Sequence, residues 1–284
     1  MSLLQLFIIS IIQGLTEWLP ISSSGHVLLV ASYFELQGRD EYLINAMAHA
    51  GTLGAVLLYF WRDVGRAVQG GVSLPLMLAR PGAKPSENQH LALLILASLP
   101  VTIVVILGYE AAFPEDWKAV LRSVWMVAGT SIVFGLALWW ADVRGTETRQ
   151  QSEMTLLQAA LIGATQAVAA LLPGTSRSGI TMTAARACGF SRTESARFSM
   201  LIGAPLLAAV GFYAFLQLSG GDPSEGVATL RDGLVVAALS FVSGFASIWA
   251  LMALLKRMSF LPFVIYRVLL GLGLIVAGPW LGLL

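Results

Sequence analysis

Long apolar runs dominate this chain, and short polar interruptions recur at two matching places. Leu91 to Tyr109, Ser123 to Ala141, Phe198 to Gly221 and Gly233 to Leu255 are uncharged, and each reaches the roughly 20 residues a helix needs to cross a bilayer core. Their length and lack of alternation predict helices rather than barrel strands. The interruptions are "QGLTEWLPISSSGH" from Gln13 and "TQAVAALLPGTSRSG" from Thr165. At a fixed offset of 153, Gln13 falls on Gln166, Pro20 on Pro173 and Ser23 on Ser176.

The pattern predicts an all-α polytopic membrane protein of ten helical pieces in two sets of five, with repeats at about 1–142 and 154–284 in one integral membrane domain. In each set a short pair flanks the polar motif and three full spans follow. The short pairs run from about Leu3 to Leu19 with His26 to Phe34, and from Met154 to Leu172 with Ser178 to Cys188. Each arm is marginal for a full crossing, and a Ser/Gly/Pro junction cannot face lipid with unsatisfied backbone groups. Re-entrant hairpins are the expected solution. Three spans per half is an odd number, so the second unit enters the membrane upside down and the repeat is inverted, an architecture that builds polar sites near the midplane.

Composition agrees. The 284 residues are 57% hydrophobic and only 12% charged, with a mean hydropathy of +0.77, against about 25% charged in soluble domains. A net charge of +1 without a dense basic stretch or zinc spacing gives no reason to expect a nucleic-acid partner. Cys188 is the only cysteine, which excludes an intrachain disulfide or a thiolate cluster. "MSLLQLFIIS" lacks the positive n-region of a signal peptide and is expected to be retained.

The basic residues orient the layout. With the loop Arg62 to His90 inside, the segments 142–153, 186–197 and 256–257 share its side and hold 11 of the 17 Lys and Arg, against 4 outside. This satisfies the positive-inside rule and turns the acidic loops and both termini outward. Two cations, Arg177 and Arg267, are left within the membrane.

Glu17 and Arg177 fall inside the two hairpins. An ionisable group at membrane depth costs about 2.5–3.5 kcal/mol even on lenient scales, so it is paired, hydrated or functional. A structural ion pair is one reading; the neighbouring hydroxyls, His26 and glycines favour a functional one. Ser22, Ser23, Ser24 and His26 stand where one helix restarts, and Thr175, Ser176, Arg177, Ser178 and Thr181 where another does. Hydroxyls, backbone N–H groups and a guanidinium fork at helix N-termini bind phosphate oxygens. Close helix packing by small residues is the alternative for Ser22 and Ser178. His26, nine residues after Glu17, is a candidate for proton transfer; His49, inside a full span, is expected to be structural. Tyr266 and Arg267 either line the cavity or anchor the last helix.

These motifs carry a family resemblance. The chain resembles the undecaprenyl-diphosphate phosphatases, the bacitracin-resistance family of bacterial membrane enzymes, in "QGLTEWLPISSSGH" and "LLPGTSRSGIT", and further in "AGTLGAVLLYFWRD", "FSMLIGAPLLAAVGFYAF" and "LPFVIYRVLLGLGLI". The resemblance implies hydrolysis of undecaprenyl diphosphate to the monophosphate carrier used in peptidoglycan synthesis, in a bacterial inner membrane, with a site open to the outer face. It implies a divalent cation, Mg2+ or Ca2+, at Gln13 and Glu17, and functional positions at Ser23, His26, Ser176, Arg177 and Thr181. The partners it implies are a polyprenyl diphosphate lipid and the membrane, with a homodimer as one allowed assembly. Many family members have Glu where this chain has Gln13, leaving one motif carboxylate. Gln binds a hard cation through its carbonyl oxygen, and magnesium commonly takes one or two carboxylates plus water and phosphate.

On this reading Glu17 and Gln13 hold the cation, Arg177 with Ser176 and Thr181 holds phosphate, Ser23 is the nucleophile and His26 moves the proton. Attack by His26 itself or by water stays open. The rival class is a transporter or flippase of the same lipid carrier, motivated by the inverted repeat.

Overall fold

The computed structural model describes residues 2–23, 25–27, 30, 34, 38–80, 82–146, 148–220 and 229–278. The regular structure of the described residues is helical: α1 (Leu3–Glu17), α2 (Gly38–Tyr59), α3 (Trp61–Leu78), α4 (Glu87–Ala97), α5 (Pro100–Ala112), α6 (Glu115–Leu121), α7 (Val124–Arg144), α8 (Leu156–Leu171), α9 (Arg177–Ala187), α10 (Arg192–Gly220), α11 (Leu230–Leu254) and α12 (Leu261–Ala277). An isolated bridge between Arg149 and Phe190 is the extent of β pairing among them.

Among the described residues five stretches are long and apolar enough to cross a membrane: Tyr42–Tyr59, Glu87–Ala112, Val124–Arg144, Arg192–Gly220 and Leu230–Leu254. Six full spans were expected; the sixth, α12, is an apolar helix of 17 residues, at the short end of the crossing range. The span expected from Leu91 to Tyr109 is broken at Ser98 and Leu99, where Pro100 opens α5 and cannot donate an N–H back into α4. The segment from Arg62 to His90, expected as a loop, contains α3, which packs on α4. Arg66 ties the two together by donating to Asn88 and Glu87, each at 3.1 Å.

The second hairpin forms as expected from α8 and α9. Of the first, α1 is described in full, and helix resumes at Ser23 and through 25–27. The two leading arms begin alike. Ser2 caps α1 and Thr155 caps α8, each in a box closed by a Gln three residues on, Gln5 and Gln158. These pairs stand at the same 153-residue offset as the polar motifs.

Small residues let the arms sink into the bundle. Ser240 and Ser243 of α11 donate to the Ser10 carbonyl at 3.1 and 3.3 Å, and Ser247 donates to that of Leu15 at 2.8 Å. Gly14 permits this approach, since a Cβ there would lie 1.9 Å from Ser243 Oγ. On the opposite arm Thr102 of α5 donates to the Gly163 carbonyl at 2.9 Å. Far from both turns, buried Asp142 accepts from Arg186 Nε at 3.0 Å, Arg192 Nε at 2.8 Å and the Phe260 N–H at 3.1 Å, joining α7, α9, α10 and α12.

Candidate functional site

Glu17 is the last residue of α1 and Arg177 the first of α9. Each charge is on the end its own helix dipole disfavours, a placement worth about 0.3–1 kcal/mol against it. What offsets this is their meeting: Arg177 Nη2 donates to Glu17 Oε1 at 2.9 Å, with the carboxylate almost wholly buried. The guanidinium also lies over the Trp18 ring, 4.8 Å from its centroid, a cation–π arrangement. Trp18 is fully buried and held by its own N–H on the Thr52 carbonyl at 3.2 Å. Gly203 leaves the guanidinium its space, because a Cβ there would be 1.5 Å from Arg177 Nη1. That Nη1 is buried with no hydrogen-bond partner among the described residues.

The other carboxylate oxygen, Glu17 Oε2, accepts from Ser23 Oγ at 2.7 Å and from Gln13 Nε2 at 2.8 Å. Gln13 Nε2 is also 2.8 Å from His49 Nδ1, which is itself 3.4 Å from Glu17 Oε2. His49, expected to be structural, thus contacts both polar residues of α1. One turn along α1 brings Gln13 and Glu17 to one face, and α2 packs against that face.

Both turns that deliver these groups hold a serine with positive φ, Ser22 at 74° and Ser176 at 68°. A non-glycine residue in that region costs of the order of 1–3 kcal/mol and persists only where surroundings over-determine it. Each of these serines accepts from the N–H of a glycine three residues on, Gly25 at 3.4 Å and Gly179 at 3.1 Å. The structural equivalence is therefore Ser22 with Ser176, one register away from the pairing of Ser23 with Ser176 that a constant offset gives. In the structural register Ser23 is equivalent to Arg177, the two residues that grip opposite oxygens of Glu17.

Arg267 of α12 is fully buried between the turns. Its Nε donates to the Ser131 carbonyl at 3.1 Å, Nη1 to Pro20 at 3.4 Å, and Nη2 to Gly174 and Thr175 at 2.9 Å each and Thr130 at 3.4 Å. It ties the first turn, the second turn and α7 together, so of the two roles left open for it, anchoring is the one its contacts describe.

The remaining candidates divide by what their side chains touch. Ser178 Oγ donates to the first hairpin, with the Leu19 carbonyl at 3.0 Å. Thr181 Oγ1 is buried against Ser199 Oγ at 2.6 Å and the Arg177 carbonyl at 2.9 Å. Thr175 Oγ1 is buried without a partner among the described residues. His26 Nδ1 meets the Ser22 carbonyl at 2.7 Å and Nε2 the Tyr266 hydroxyl at 2.5 Å. A carbonyl only accepts, so Nδ1 carries a proton, and the neutral ring takes its hydrogen bond at Nε2 from the phenol. Ser24 lies outside the described residues. Sequence reasoning did not single out Trp18 or Gly203, and it gave no partner to His49, although a histidine inside a span is itself a signal because such residues are costly there.

The helices and this buried carboxylate, hydroxyl and guanidinium cluster define a polytopic helical membrane protein with a polar centre where the end of α1 meets the start of α9. The chain matches the family described as bacitracin resistance protein BacA over residues 6–273, and belongs to it. It is 57% identical over 281 residues to the undecaprenyl-diphosphatase of Hyphomonas neptunium (strain ATCC 15444), covering 98% of both chains. It is 45% identical over 276 residues to that of Maricaulis maris (strain MCS10), covering 97% of this chain and 99% of the relative.

Proposed function

We propose that this protein hydrolyses undecaprenyl diphosphate to undecaprenyl phosphate and inorganic phosphate in a bacterial inner membrane. The observation that carries the reading is the single carboxylate, Glu17, holding a hydroxyl on one oxygen and a guanidinium on the other. Ser23 is the nucleophile, oriented by its hydrogen bond to Glu17 Oε2, and His26 takes its proton. Ser23 Oγ attacks the terminal phosphorus, the bond from that phosphorus to the bridging oxygen breaks, and the lipid monophosphate departs. Arg177, through its unpartnered Nη1, clamps the transferred phosphoryl oxygens, with Thr175 beside it at the start of α9, where backbone N–H groups favour an anion. His26, held between Ser22 and Tyr266, exchanges the proton when water hydrolyses the phosphoserine.

A divalent cation belongs at Gln13 and Glu17. The donor set supports this in kind, because acceptor atoms converge on one point beside the carboxylate. Among the described residues no three His, Cys, Asp or Glu side chains form a cluster, so Gln13, water and phosphate oxygens complete the set. When bound, the ion neutralises phosphate charge as displacement begins. The deciding test is release of phosphate from undecaprenyl diphosphate by the purified protein in detergent; no release with any divalent cation would refute the reading. Carrier transport is less favoured, since binding alone needs no hydroxyl poised on a carboxylate.

The inverted repeat is part of the proposal. It is supported by the paired capping boxes and by the exchange of packing partners, with α1 on α11 and α8 on α4 and α5. A site open to the outer face is what the family resemblance implies, and the charge bias supports the loop orientation that goes with it. In a Cys188→Ser background, a cysteine at Asp116 should react with an impermeant thiol reagent in intact cells and one at Ala83 should not; the reverse pattern would overturn the orientation.

A further inference from the structure

We infer that His49 is a third protein ligand of the cation, and that its imidazole turns the site towards first-row transition ions such as Mn2+ and away from Ca2+. The inference rests on the cation reading above and goes beyond it in ligand and in metal class. Glu17 only accepts hydrogen bonds when ionised, so the Gln13 atom facing it at 2.8 Å is the amide nitrogen. That same nitrogen is 2.8 Å from His49 Nδ1, which must therefore be the unprotonated, accepting nitrogen of its ring. Two acceptor lone pairs, from Glu17 Oε2 and His49 Nδ1, thus converge on one electropositive group. An NH2 stands where a cation would satisfy both more strongly.

The spacing suits this. Ligand atoms at about 2.1 Å from one ion are about 3.0 Å apart in neighbouring octahedral positions and about 3.4 Å apart in a tetrahedron, and the two acceptors are 3.4 Å apart. Turning the Gln13 amide end for end presents its carbonyl oxygen to the same point, giving one carboxylate, one amide oxygen and one imidazole, with positions left for phosphate oxygens. A site with a single carboxylate and a nitrogen ligand is poor for calcium, which prefers six to eight oxygens, and better for ions that accept imidazole. The plainer alternative is that His49 only holds Gln13 in place by hydrogen bonding.

Electron spin-echo modulation of Mn2+ added to the detergent-solubilised protein separates these. The inference expects imidazole 14N modulation in the wild type and in His26→Gln, lost in His49→Gln, and Mn2+ bound at least about tenfold more tightly than Ca2+. In His49→Glu that preference should move about tenfold or more towards Ca2+. Bound Mn2+ without 14N modulation, or modulation that survives in His49→Gln, overturns the role of His49 while leaving the cation reading intact. Phosphate release that needs Mg2+ with no Mn2+ bound also overturns it alone. Undiminished release in chelator, with no ion bound, overturns both.

Discussion

Arg177 and Arg267 each carry a guanidinium into the bundle, and they differ in what their donors meet. Arg267 is surrounded by the carbonyls of Pro20, Thr130, Ser131, Gly174 and Thr175, and each of its nitrogens is bonded. Arg177 has one nitrogen on Glu17, its face on Trp18, and Nη1 unpartnered among the described residues. A buried donor without a partner costs about 1–3 kcal/mol, a cost that a purely structural arginine has no reason to keep. Saturation marks the arginine that builds the turns, and the spare donor marks the one we propose for the substrate.

The comparison breaks most visibly at Arg267. Arg267→Ala leaves the carbonyls of both turns and of α7 without donors in an apolar core, so it should abolish stable folding, read as a collapse of detergent melting temperature. Arg267→Lys should rescue little, since one ammonium cannot span carbonyls arrayed around a planar fork. A variant that melts like wild type but has lost turnover would reverse the assignment.

Arg177 should behave the other way. Arg177→Lys keeps the charge beside Glu17 but loses the fork, and turnover should fall about 10²–10³-fold, the range for removing one transition-state donor, while melting stays near wild type. If lysine retains full turnover and Arg177→Ala melts far below wild type, the residue is a structural tie to a buried carboxylate.

Both arginines were legible in the sequence, because a charge inside an apolar run stands out, but which was saturated was not. The discriminating partners are backbone carbonyls, which every residue carries. His49 was visible as an oddity within its span, yet nothing in "NAMAHAGTLGAV" connects it to Gln13, 36 residues earlier. The two motifs were legible down to their prolines and glutamines. Their register was not, because "PISSSG" and "PGTSRSG" differ by one residue between Pro and Gly, and the positive-φ serines show where the extra residue goes. α3 escaped notice because Arg62, Asp63 and Arg66 give its start the look of a loop.

Gly203→Ala sharpens the contrast without touching a charge. The added methyl would occupy the place of Arg177 Nη1 and displace the guanidinium from Glu17 and Trp18. Alanine is favoured over glycine within a helix by about 1 kcal/mol, so α10 itself should not weaken. The expected result is turnover reduced about tenfold or more, as remote misplacement of a clamping group allows, with melting unchanged or raised. Turnover equal to wild type would mean that Arg177 need not sit where it does.

The smallest effect is expected beside Arg267, at Tyr266. One residue along α12 the side chain leaves the carbonyl cage and reaches His26, so the helix that anchors the turns also touches the site. Tyr266→Phe removes the hydroxyl but keeps the ring stacked on the imidazole at 5.6 Å between centroids. One hydrogen bond, worth about 0.5–1.5 kcal/mol net, is lost from a group that orients His26. Turnover should fall several-fold, with melting unchanged, and His26→Ala should cost much more. A Tyr266→Phe loss as deep as that of His26→Ala would show that the phenol itself handles the proton and that His26 is there to position it.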